Sequence, residues 1–452
     1  MKSTASIFAL LAVLVLPSAA LGQQTYVLTA RAWGPSQAAA VAAAGGTVVF
    51  GHDGAGVAVA TSSAPDFAAR VRASSAIASV EEDRLVQWQM PMTTVDVDEA
   101  FSNPPNDDRF FNNIQWAPQA IDAPAAWASG CTGNGVRVAI LDGGIHSAHA
   151  DLVANLDVAA SRSFVTGFNF NQDVGTFWHG THVAGIVAAA DNNIGTIGIA
   201  PQARLIGVKV LHNGSGSFGA VIAGILYAAT PLAEGGGGAS IINMSLGAVF
   251  PKNDEGAGQL VAAMNKAVNY ANRSGVLVVS AAGNDSLDLD QSGNLISVPA
   301  QSGAGIAVSA TAPMGFALGA TNFDRPASYT NYGTSAINVA APGGDFALPG
   351  SASCTLPTTT TPLTRPCWVF DMVLSTSRGG PLSTTSYSWA AGTSMAAPAA
   401  SAVAAIIKQK NPNISLGALK TALQNSAIDA GPNGADPFYG KGWVNALRAC
   451  QY

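Results

Sequence analysis

The sequence is poor in charge, since Asp, Glu, Lys and Arg together make up only 11% of its 452 residues. Soluble domains usually carry roughly 25%. The 27 acidic residues outnumber the 21 basic ones, which excludes nucleic acid as the main partner. Disorder is excluded as well, because hydrophobic residues make up 48% of the chain. The length exceeds one average domain and predicts a large unit with a smaller one.

Long hydrophobic runs are also lacking. The run at residues 7–16 is too short to span a bilayer, which takes about 20 apolar residues. It follows Lys2, and small residues precede Gln23, so residues 1–22 are predicted to be a signal peptide. A buried strand or a short anchor is the alternative. We expect a secreted protein, extracellular or periplasmic, that is not held at a membrane once the signal is removed.

Cysteine is scarce, and its four positions allow three pairings. Export brings the chain into an oxidising compartment, where disulfides persist. Cys354 and Cys367 bracket a Thr- and Pro-rich loop, whose composition disfavours helix and strand, so we predict a Cys354–Cys367 disulfide. Cys131–Cys450 then follows by elimination. Four buried free thiols remain the alternative, and the spacing resembles no metal site.

Residues 23–88 are predicted to form a domain of their own. Strand-like and helical patterns follow each other in the order β-α-β-β-α-β, with a last strand at residues 77–88. This order is typical of a ferredoxin-like α+β unit, in which two helices cover one antiparallel sheet. Residues 89–105 contain Pro and Asp but few periodic apolar residues, which predicts a linker.

Residues 106–452 are predicted to form the large domain, with no further domain after Trp443. Mostly apolar, strand-like runs alternate there with Ala-rich helical segments; the runs are residues 136–141, 204–210, 241–245, 276–280 and 306–309. Strands that are hydrophobic throughout predict an α/β fold with a doubly wound, mainly parallel sheet and helices on both faces. In such folds the active site lies beyond the carboxyl ends of the strands.

Four polar residues occupy predicted strand ends or helix starts. Asp142 follows the first run, and Asn284 ends the string AAGN after the fourth. His179 begins the string HGTHVAG before an apolar helix, and Ser394 lies in GTSMAAP, which opens an Ala-rich helix. Each alone could be a cap, turn or core residue. Together, at one edge of a sheet, they predict a single site.

These strings resemble those of the subtilisin family of serine endopeptidases, which has Asp, His and Ser in the same chain order. The resemblance covers residues 106–449, and it implies a secreted endopeptidase that acts on proteins and peptides, as a monomer without a catalytic cofactor. It makes His179 the general base, Ser394 the nucleophile, Asp142 the acid that orients the histidine and Asn284 the oxyanion donor. The family usually has Thr or Ser after the acid, whereas Gly143 follows Asp142 here, so a hydroxyl partner is missing.

The same resemblance implies substrate contacts and a calcium site. The positions that match the family's substrate-binding segments are Gly214, Ser215, Gly216, Ser245, Leu246, Gly247, Ala281, Ala282 and Gly283. Phe218 matches an aromatic residue at the mouth of a side-chain pocket, which favours an apolar substrate residue there. Asp151 and Asn193 match calcium ligands, although the loop at residues 191–195 is one residue shorter than the pattern. A solvated turn is the alternative.

The domain at residues 23–88 resembles the family's propeptide, which acts as chaperone and inhibitor and leaves its tail in the cleft. Self-cleavage is therefore expected between residues 87 and 105. His182 is predicted to pack beneath the site, and His146, His149 and His212 to be surface or loop residues. A peptide-binding protein that does not cut, suggested by Gly143, and an acyl transferase on the same site are the rival functions.

Overall fold

The computed structural model describes residues 22–88, 92–97, 108–174, 178–303, 305–358, 361–378 and 384–452. The predicted signal peptide lies outside these ranges except for its last residue, and the predicted linker is described only at residues 92–97. Within the described ranges, none of the helices combines the length and the apolar character needed to cross a membrane.

The N-terminal unit has the predicted ferredoxin-like element order. Its elements are β1 (Gln24–Thr29), α1 (Pro35–Ala43), β2 (Gly46–His52), β3 (Val57–Ser62), α2 (Phe67–Arg72) and β4 (Ser79–Glu82). The strands form one antiparallel sheet in the order β2-β3-β1-β4. Alternate strand residues and the apolar faces of both helices build its own hydrophobic core, which includes Leu28, Val41 and Phe67.

The predicted strand at residues 77–88 is wrong in one respect, because the chain changes partners halfway. β4 ends at Glu82, and the next strand, β5 (Leu85–Gln87), pairs with the larger unit instead of the N-terminal sheet. Asp83 and Arg84 lie between the two strands, and each bonds a group of the larger unit. Partners on the other unit, which are distant in sequence, therefore decide where β4 ends.

The remaining elements belong to the larger unit. Its strands are β6 (Thr93–Asp96), β7 (Arg137–Asp142), β8 (Arg162–Ser163), β9 (Arg204–Lys209), β10 (Ser215–Ser217), β11 (Ile241–Met244), β12 (Ala248–Pro251), β13 (Leu277–Ala281), β14 (Leu295–Val298), β15 (Ile306–Thr311), β16 (Val339–Pro342), β17 (Ser353–Leu356), β18 (Leu363–Pro366), β19 (Val373–Ser377) and β20 (Ser386–Ala391). Its helices are α3 (Asp108–Phe111), α4 (Trp116–Ala120), α5 (Ala123–Ala128), α6 (His179–Ala188), α7 (Phe218–Ala229), α8 (Glu255–Arg273), α9 (Thr393–Lys410), α10 (Leu416–Asn425) and α11 (Ala446–Cys450).

A seven-stranded parallel sheet forms the centre of this unit, in the order β16-β15-β13-β11-β7-β9-β8. The five predicted strands correspond to β7, β9, β11, β13 and β15. From β7 the chain first continues to one side, with β8 and β9, and then to the other side, with β11. This reversal opens a crevice at the carboxyl ends of β7 and β11.

Helices cover both faces of the sheet, as predicted for a doubly wound fold. Helices α6 and α9 pack together on one face, and α7 and α8 pack together on the other. The N-terminal unit lies on α7 and α8, which contact its strands β1, β3 and β4. The two helices are thus sandwiched between two sheets.

Two disulfides are present, in the pairs that the sequence suggested. Cys354–Cys367 closes the hairpin of β17 and β18, and Cys131–Cys450 joins the segment before β7 to the end of α11. Because 319 residues separate Cys131 from Cys450, the second bond constrains a far longer stretch of the unfolded chain.

Candidate active site

Asp142 is the last residue of β7, at the carboxyl edge of the central sheet, and its side chain is 1% exposed. Its carboxylate accepts a hydrogen bond from the backbone N–H of Gly143 at 2.6 Å. Both carboxylate oxygens lie 2.8 Å from Nδ1 of His179. The backbone N–H of Gly143 and the imidazole of His179 therefore orient the carboxylate of Asp142. This carboxylate lacks the hydroxyl partner that is usual in the resembled family.

His179 is the first residue of α6 and is buried. A carboxylate can only accept, so Nδ1 of the ring carries the proton that points to Asp142, and Nε2 is left with the lone pair. Burial lowers the pKa of His179, but the charge of Asp142 and its hydrogen bond outweigh burial and raise the pKa overall. The imidazole is thus held ready to accept a proton at Nε2.

Ser394 is the second residue of α9, and its hydroxyl donates to the backbone oxygen of Ser245 at 3.2 Å. Pro398 lies four residues further along the same helix and has no N–H to donate to the carbonyl of Ser394. The hydroxyl of Ser245 donates to that carbonyl instead, at 2.7 Å. Because of the proline, the carbonyl of Ser394 is free to accept from Ser245. This bond attaches the loop after β11 to the first turn of α9.

Asn284 follows β13 and faces the same first turn of α9. Its Oδ1 accepts from the backbone N–H of Thr393 at 2.9 Å and from the Thr393 hydroxyl at 2.8 Å. Two donors on the oxygen fix the orientation of the amide, so its NH₂ group is directed away from Thr393. Such an amide can donate to a negative oxygen that forms beside Ser394.

The edge strand β10 carries Ser215 and Gly216, with Gly214 just before it, and all three of these predicted substrate-binding residues contact the tail of the N-terminal unit. β5 adds to β10 as an antiparallel strand. Beyond it, the backbone N–H of Trp88 donates to Gly214 at 3.0 Å, and its indole N–H donates to Gly216 at 3.0 Å. The cleft edge thus binds an extended segment through its main chain.

Phe218 is fully buried, and its ring packs against that of Trp88 with 5.5 Å between centroids. Trp88 is itself 0% exposed. An apolar side chain of the N-terminal tail therefore lies against Phe218, the position for which the sequence predicts an apolar substrate residue. The other predicted substrate positions, Ser245, Leu246, Gly247, Ala281, Ala282 and Gly283, are buried at the ends of β11 and β13.

Comparison with known proteins agrees with this geometry. Residues 133–442 match the model of the subtilase family, which is most of the chain. The chain belongs to the subtilase family. It is 36% identical over 340 residues to subtilisin Savinase of Lederbergia lenta, covering 75% of this chain and 98% of that protein. It is 33% identical over 351 residues to thermitase of Thermoactinomyces vulgaris, and the match covers 77% of this chain and 99% of thermitase. As a subtilase, it is a serine endopeptidase.

Solved structures resemble the fold of both units. One structure of the epidermin leader peptide processing serine protease of Staphylococcus aureus aligns with a TM-score of 0.71 over 95% of this chain and 99% of that chain, and a second one aligns with a TM-score of 0.69 over 95% and 98%, both at 21% identity. At that identity the likeness concerns the fold alone. It includes the N-terminal unit, because the alignment reaches far beyond the residues that the family model matches.

Two buried charged residues of the subtilase site escaped the sequence analysis. Asp173 accepts from the N–H and the hydroxyl of Thr181, at 2.9 and 2.7 Å, in the first turn of α6. Lys209 ends β9 and is fully buried, and its ammonium donates to the backbone oxygens of Gly143 and Gln172. The signals available were the carboxylate shortly before HGTHVAG and the lysine at a strand end.

Asp173, Asp142, His179 and Lys209 form one electrostatic cluster. Burial and the nearby charge of Asp142 raise the pKa of Asp173 to about 7, against the hydrogen bonds from Thr181. Burial lowers the pKa of Lys209, while the two aspartates counteract it. The ammonium of Lys209 and the carboxyl groups of Asp142 and Asp173 therefore lie close together in the interior. Asp173 loses its proton, and so gains its negative charge, near neutral pH.

The remaining histidines lie outside the triad geometry. His182 is buried, and its Nε2 lies 2.9 Å from the backbone oxygen of Ser388, so it packs beneath the site as predicted. Burial lowers its pKa to about 3. His149 lies in a loop, in line with the prediction of a surface or loop residue, but it is fully buried, and desolvation lowers its pKa to about 4. His212 stacks on Phe168 at 3.7 Å.

Asp151 lies beyond the other end of α6, where its backbone oxygen accepts from Ala190. Burial raises the pKa of Asp151 to about 7. Its Oδ1 is buried without a hydrogen-bond partner, and so is Oδ1 of Asn192. Asn193, the residue named from the sequence, is exposed. Among the described residues there is no group of three or more His, Cys, Asp or Glu that could hold a metal.

These oxygens nevertheless fit calcium. The ion prefers oxygen ligands and accepts carboxylates together with amide and backbone oxygens. Oδ1 of Asp151 and Oδ1 of Asn192 are buried without a geometric hydrogen bond, while Thr196, Tyr387 and the Asn192 side chain stabilise the Asp151 carboxylate. A bound cation would remove the cost of burying the carboxylate. The buried amide oxygen of this loop belongs to Asn192, whereas the predicted Asn193 is exposed.

Proposed function

We propose that this subtilase is a secreted endopeptidase that cuts extended protein segments through Asp142, His179 and Ser394, with Asn284 as oxyanion donor. The observation that carries the proposal is the contact of both Asp142 oxygens with Nδ1 of His179 at 2.8 Å. It fixes the tautomer in which Nε2 is the base. The oxygen of Asn284 is occupied by Thr393, which supports the role of its NH₂ group as the oxyanion donor.

Each residue then has one chemical task. Ser394 attacks the scissile carbonyl carbon while His179 takes the hydroxyl proton at Nε2. Asp142 stabilises the imidazolium that results. The tetrahedral oxyanion accepts from the Asn284 amide and from the backbone N–H of Ser394. His179 returns the proton to the departing amine, and water then hydrolyses the acyl-enzyme by the same steps.

We propose further that the N-terminal unit is a propeptide that inhibits the enzyme until it is cut. Asp83 accepts from the N–H of Gly219 at the start of α7, and Arg84 makes a bidentate pair with Asp254, which caps α8. The tail then occupies the substrate edge up to Trp88. These contacts place negative charge near the N-terminus of α7 and satisfy the acid that caps α8, which supports tight docking.

Self-cleavage is proposed to fall between Trp88 and Met92. Trp88 pairs with Gly214 on one side of the cleft, and the N–H of Met92 donates to Ala391 on the other side at 2.8 Å. Ala391 is three residues from Ser394 along the chain. These two anchors support a cleavage site between them, a narrower range than residues 87–105.

A serine-directed fluorophosphonate probe tests the nucleophile, followed by a casein digestion assay. We expect the mature enzyme to be labelled and active, and Ser394→Ala to lose both properties. Ser426→Ala, which removes another buried serine hydroxyl at the end of α10, serves as control and should retain both. Absent labelling of correctly processed, folded enzyme would favour the peptide-binding protein that does not cut.

Self-processing is tested on the full chain by intact mass. The wild type should yield a new N-terminus between residues 89 and 92, and Ser394→Ala should keep its N-terminal unit attached when expressed alone. Normal maturation of Ser394→Ala would refute self-processing. Amide formation with added amines that outpaces hydrolysis would instead favour the acyl transferase.

Structural calcium at Asp151 is proposed as well, without a part in the reaction. Adding EDTA should lower the melting temperature of the wild type, because the carboxylate would again be buried without a counter-charge. In Asp151→Asn the chelator should have a much smaller effect. Equal melting temperatures of the wild type with calcium and with EDTA would contradict the site.

A further inference from the structure

One side chain of the central strand β11 is polar although it lies in the core. Asn243 is the third residue of β11, and the other three residues of this strand are apolar. Asn243 is 0% exposed, because β7 and β13 pair with the two edges of the strand and α9 packs against it. A buried amide destabilises a fold unless its hydrogen bonds are made. The partners of Asn243 therefore show what this residue contributes.

Asn243 has one partner at each end of its amide. Its Oδ1 accepts from the hydroxyl of Ser401 at 2.9 Å, and its Nδ2 donates to the hydroxyl oxygen of Ser245 at 2.9 Å. The Ser245 hydroxyl donates in turn to the backbone oxygen of Ser394 at 2.7 Å. Ser401 and Ser245 are, like Asn243, 0% exposed. A buried chain of hydrogen bonds therefore leads from the middle of α9 to the carbonyl of the nucleophile.

The spacing of these residues explains why they meet. Ser394 and Ser401 are seven positions apart in α9. Seven residues make about two helical turns, so both side chains lie on the same face of the helix. Asn243 and Ser245 are two positions apart, and alternate residues of an extended chain point to the same side. The side of this segment that faces α9 therefore presents Asn243 to Ser401 and Ser245 to Ser394.

The donors and acceptors in this chain depend on one another. The carbonyl of Ser394 only accepts, so the single proton of the Ser245 hydroxyl is used there, and Asn243 must donate to Ser245. Asn243 does so only when its NH₂ group points to Ser245, and the Ser401 hydroxyl on Oδ1 selects this orientation of the amide. In the reversed orientation, the amide oxygen would compete with Ser394 for the proton of Ser245. Ser401 thus decides where the Ser245 hydroxyl donates.

We propose that Ser401 is a positioning residue for the nucleophile, and that it acts through Asn243 and Ser245 on the first turn of α9. This inference rests on the proposed function. That turn carries both the hydroxyl and the backbone N–H of Ser394, which are the proposed nucleophile and the proposed second oxyanion donor. Because Pro398 has no N–H, the Ser245 hydroxyl is the group that holds the Ser394 carbonyl. Losing this bond would misplace nucleophilic attack and oxyanion stabilisation together, and leave the substrate edge at β10 unchanged.

The first experiment measures Ser401→Ala, in which the hydroxyl that orients the amide is missing. kcat and KM are determined with a quenched fluorescent peptide of residues 84–92, per active site counted by complete labelling with the fluorophosphonate probe. We expect kcat and the second-order rate of labelling to fall about tenfold each, as for the loss of one hydrogen bond. KM should stay within about twofold of the wild type, because β10 is unchanged. Wild-type kcat in Ser401→Ala would overturn the proposal, even with a lowered melting temperature.

Two further variants separate positioning from packing. Ser401→Thr keeps a hydroxyl, and its kcat should stay within about threefold of the wild type. Ser426→Ala removes another buried serine hydroxyl, which bonds only within its own segment at the end of α10. It should match the wild type in kcat, KM and labelling rate. An equal loss of kcat in Ser401→Thr and Ser401→Ala would assign the effect to packing and overturn the proposal.

A double-mutant cycle tests whether Ser401 acts through Ser245, because residues in one hydrogen-bond chain have non-additive effects. Ser245→Ala should lower kcat at least as much as Ser401→Ala does. In the Ser245→Ala background, adding Ser401→Ala should change kcat by less than about twofold, since the hydroxyl that it directs is already gone. Two independent tenfold losses would overturn this inference alone. A wild type that is neither labelled nor active on casein would overturn the proposed function, and this inference with it.

Discussion

Trp88 is expected to be the main anchor of the N-terminal tail in the cleft. Its side chain is fully buried, packs on Phe218 and donates to Gly216. Burying an aromatic side chain removes roughly 200 Å² from water, and at about 25 cal/mol per Å² this stabilises the docked tail by at most about 5 kcal/mol. Because a free tail already hides part of that area, we expect Trp88→Ala to cost about 3 kcal/mol.

The loss is measurable as access to the cleft in the uncut Ser394→Ala chain. A peptide can bind only when the tail has left, so its apparent dissociation constant is the intrinsic one divided by the open fraction. A cost of about 3 kcal/mol raises the open fraction about 100-fold. Fluorescence polarisation with a labelled peptide of residues 84–88 should show that gain in affinity for Trp88→Ala.

Leu85→Ala is the matched control, because Leu85 lies on the same tail but is 76% exposed. It should leave the affinity for the labelled peptide within about twofold of the Ser394→Ala parent, as for other exposed positions. An unchanged affinity in Trp88→Ala, or an equal gain in Leu85→Ala, would refute the reasoning. The tail would then be held by Asp83 and Arg84, at the starts of the two covered helices.

Three further predictions follow from the site and the covalent frame. Asn284→Asp, which keeps the acceptor for Thr393, should lower kcat about 10²–10³-fold, as loss of this donor does in the family, with less change in melting temperature than Asn284→Ala. In the folded chain Asp173 keeps its proton up to about pH 7, whereas the unfolded chain releases it near pH 4. Between these pH values, rising pH should therefore lower the free energy of unfolding of the Ser394→Ala parent relative to its Asp173→Asn variant, by at most about 4 kcal/mol in urea unfolding. Parallel pH profiles of the two proteins would contradict this. Replacing Cys131 and Cys450 by Ser should lower the free energy of unfolding by about 4–6 kcal/mol in the same assay, more than replacing Cys354 and Cys367, because the longer loop is more constrained by its disulfide. Equal losses for the two pairs would contradict this dependence on loop length.

The fold was largely predictable because its strands follow simple rules. β7, β9, β11, β13 and β15 are apolar on both faces, and that pattern has few alternatives in a chain with helices between. β8 has only two residues, and β16 is a four-residue strand that ends in Pro342, so neither gives such a pattern. β5 and β6 are edge strands whose partners lie more than 100 residues away, and no local periodicity reports such a partner.

The candidate site divides in the same way. Asp142, His179, Asn284 and Ser394 lie in strings that fix their local structure, so the sequence could name them. Asp173 depends on a contact with Thr181 across a loop, and Lys209 on two backbone oxygens from separate segments. The contacts of Asp173 and Lys209 form only when the fold brings separate segments together, so the sequence alone does not indicate them. The choice of Asn192 over Asn193 likewise depends on which amide the turn directs inward.

The disulfide between Cys131 and Cys450 makes the catalytic unit a covalent ring. Every strand of the central sheet and all four residues proposed for catalysis lie inside it. If another copy of the enzyme nicks any one loop of this ring, the two pieces stay joined through the sulfur bridge and through the packed sheet. A population damaged by its own activity would therefore migrate as one band without reductant and as fragments with it. In a protease that meets its own copies, a single cut in the ring would not separate the triad.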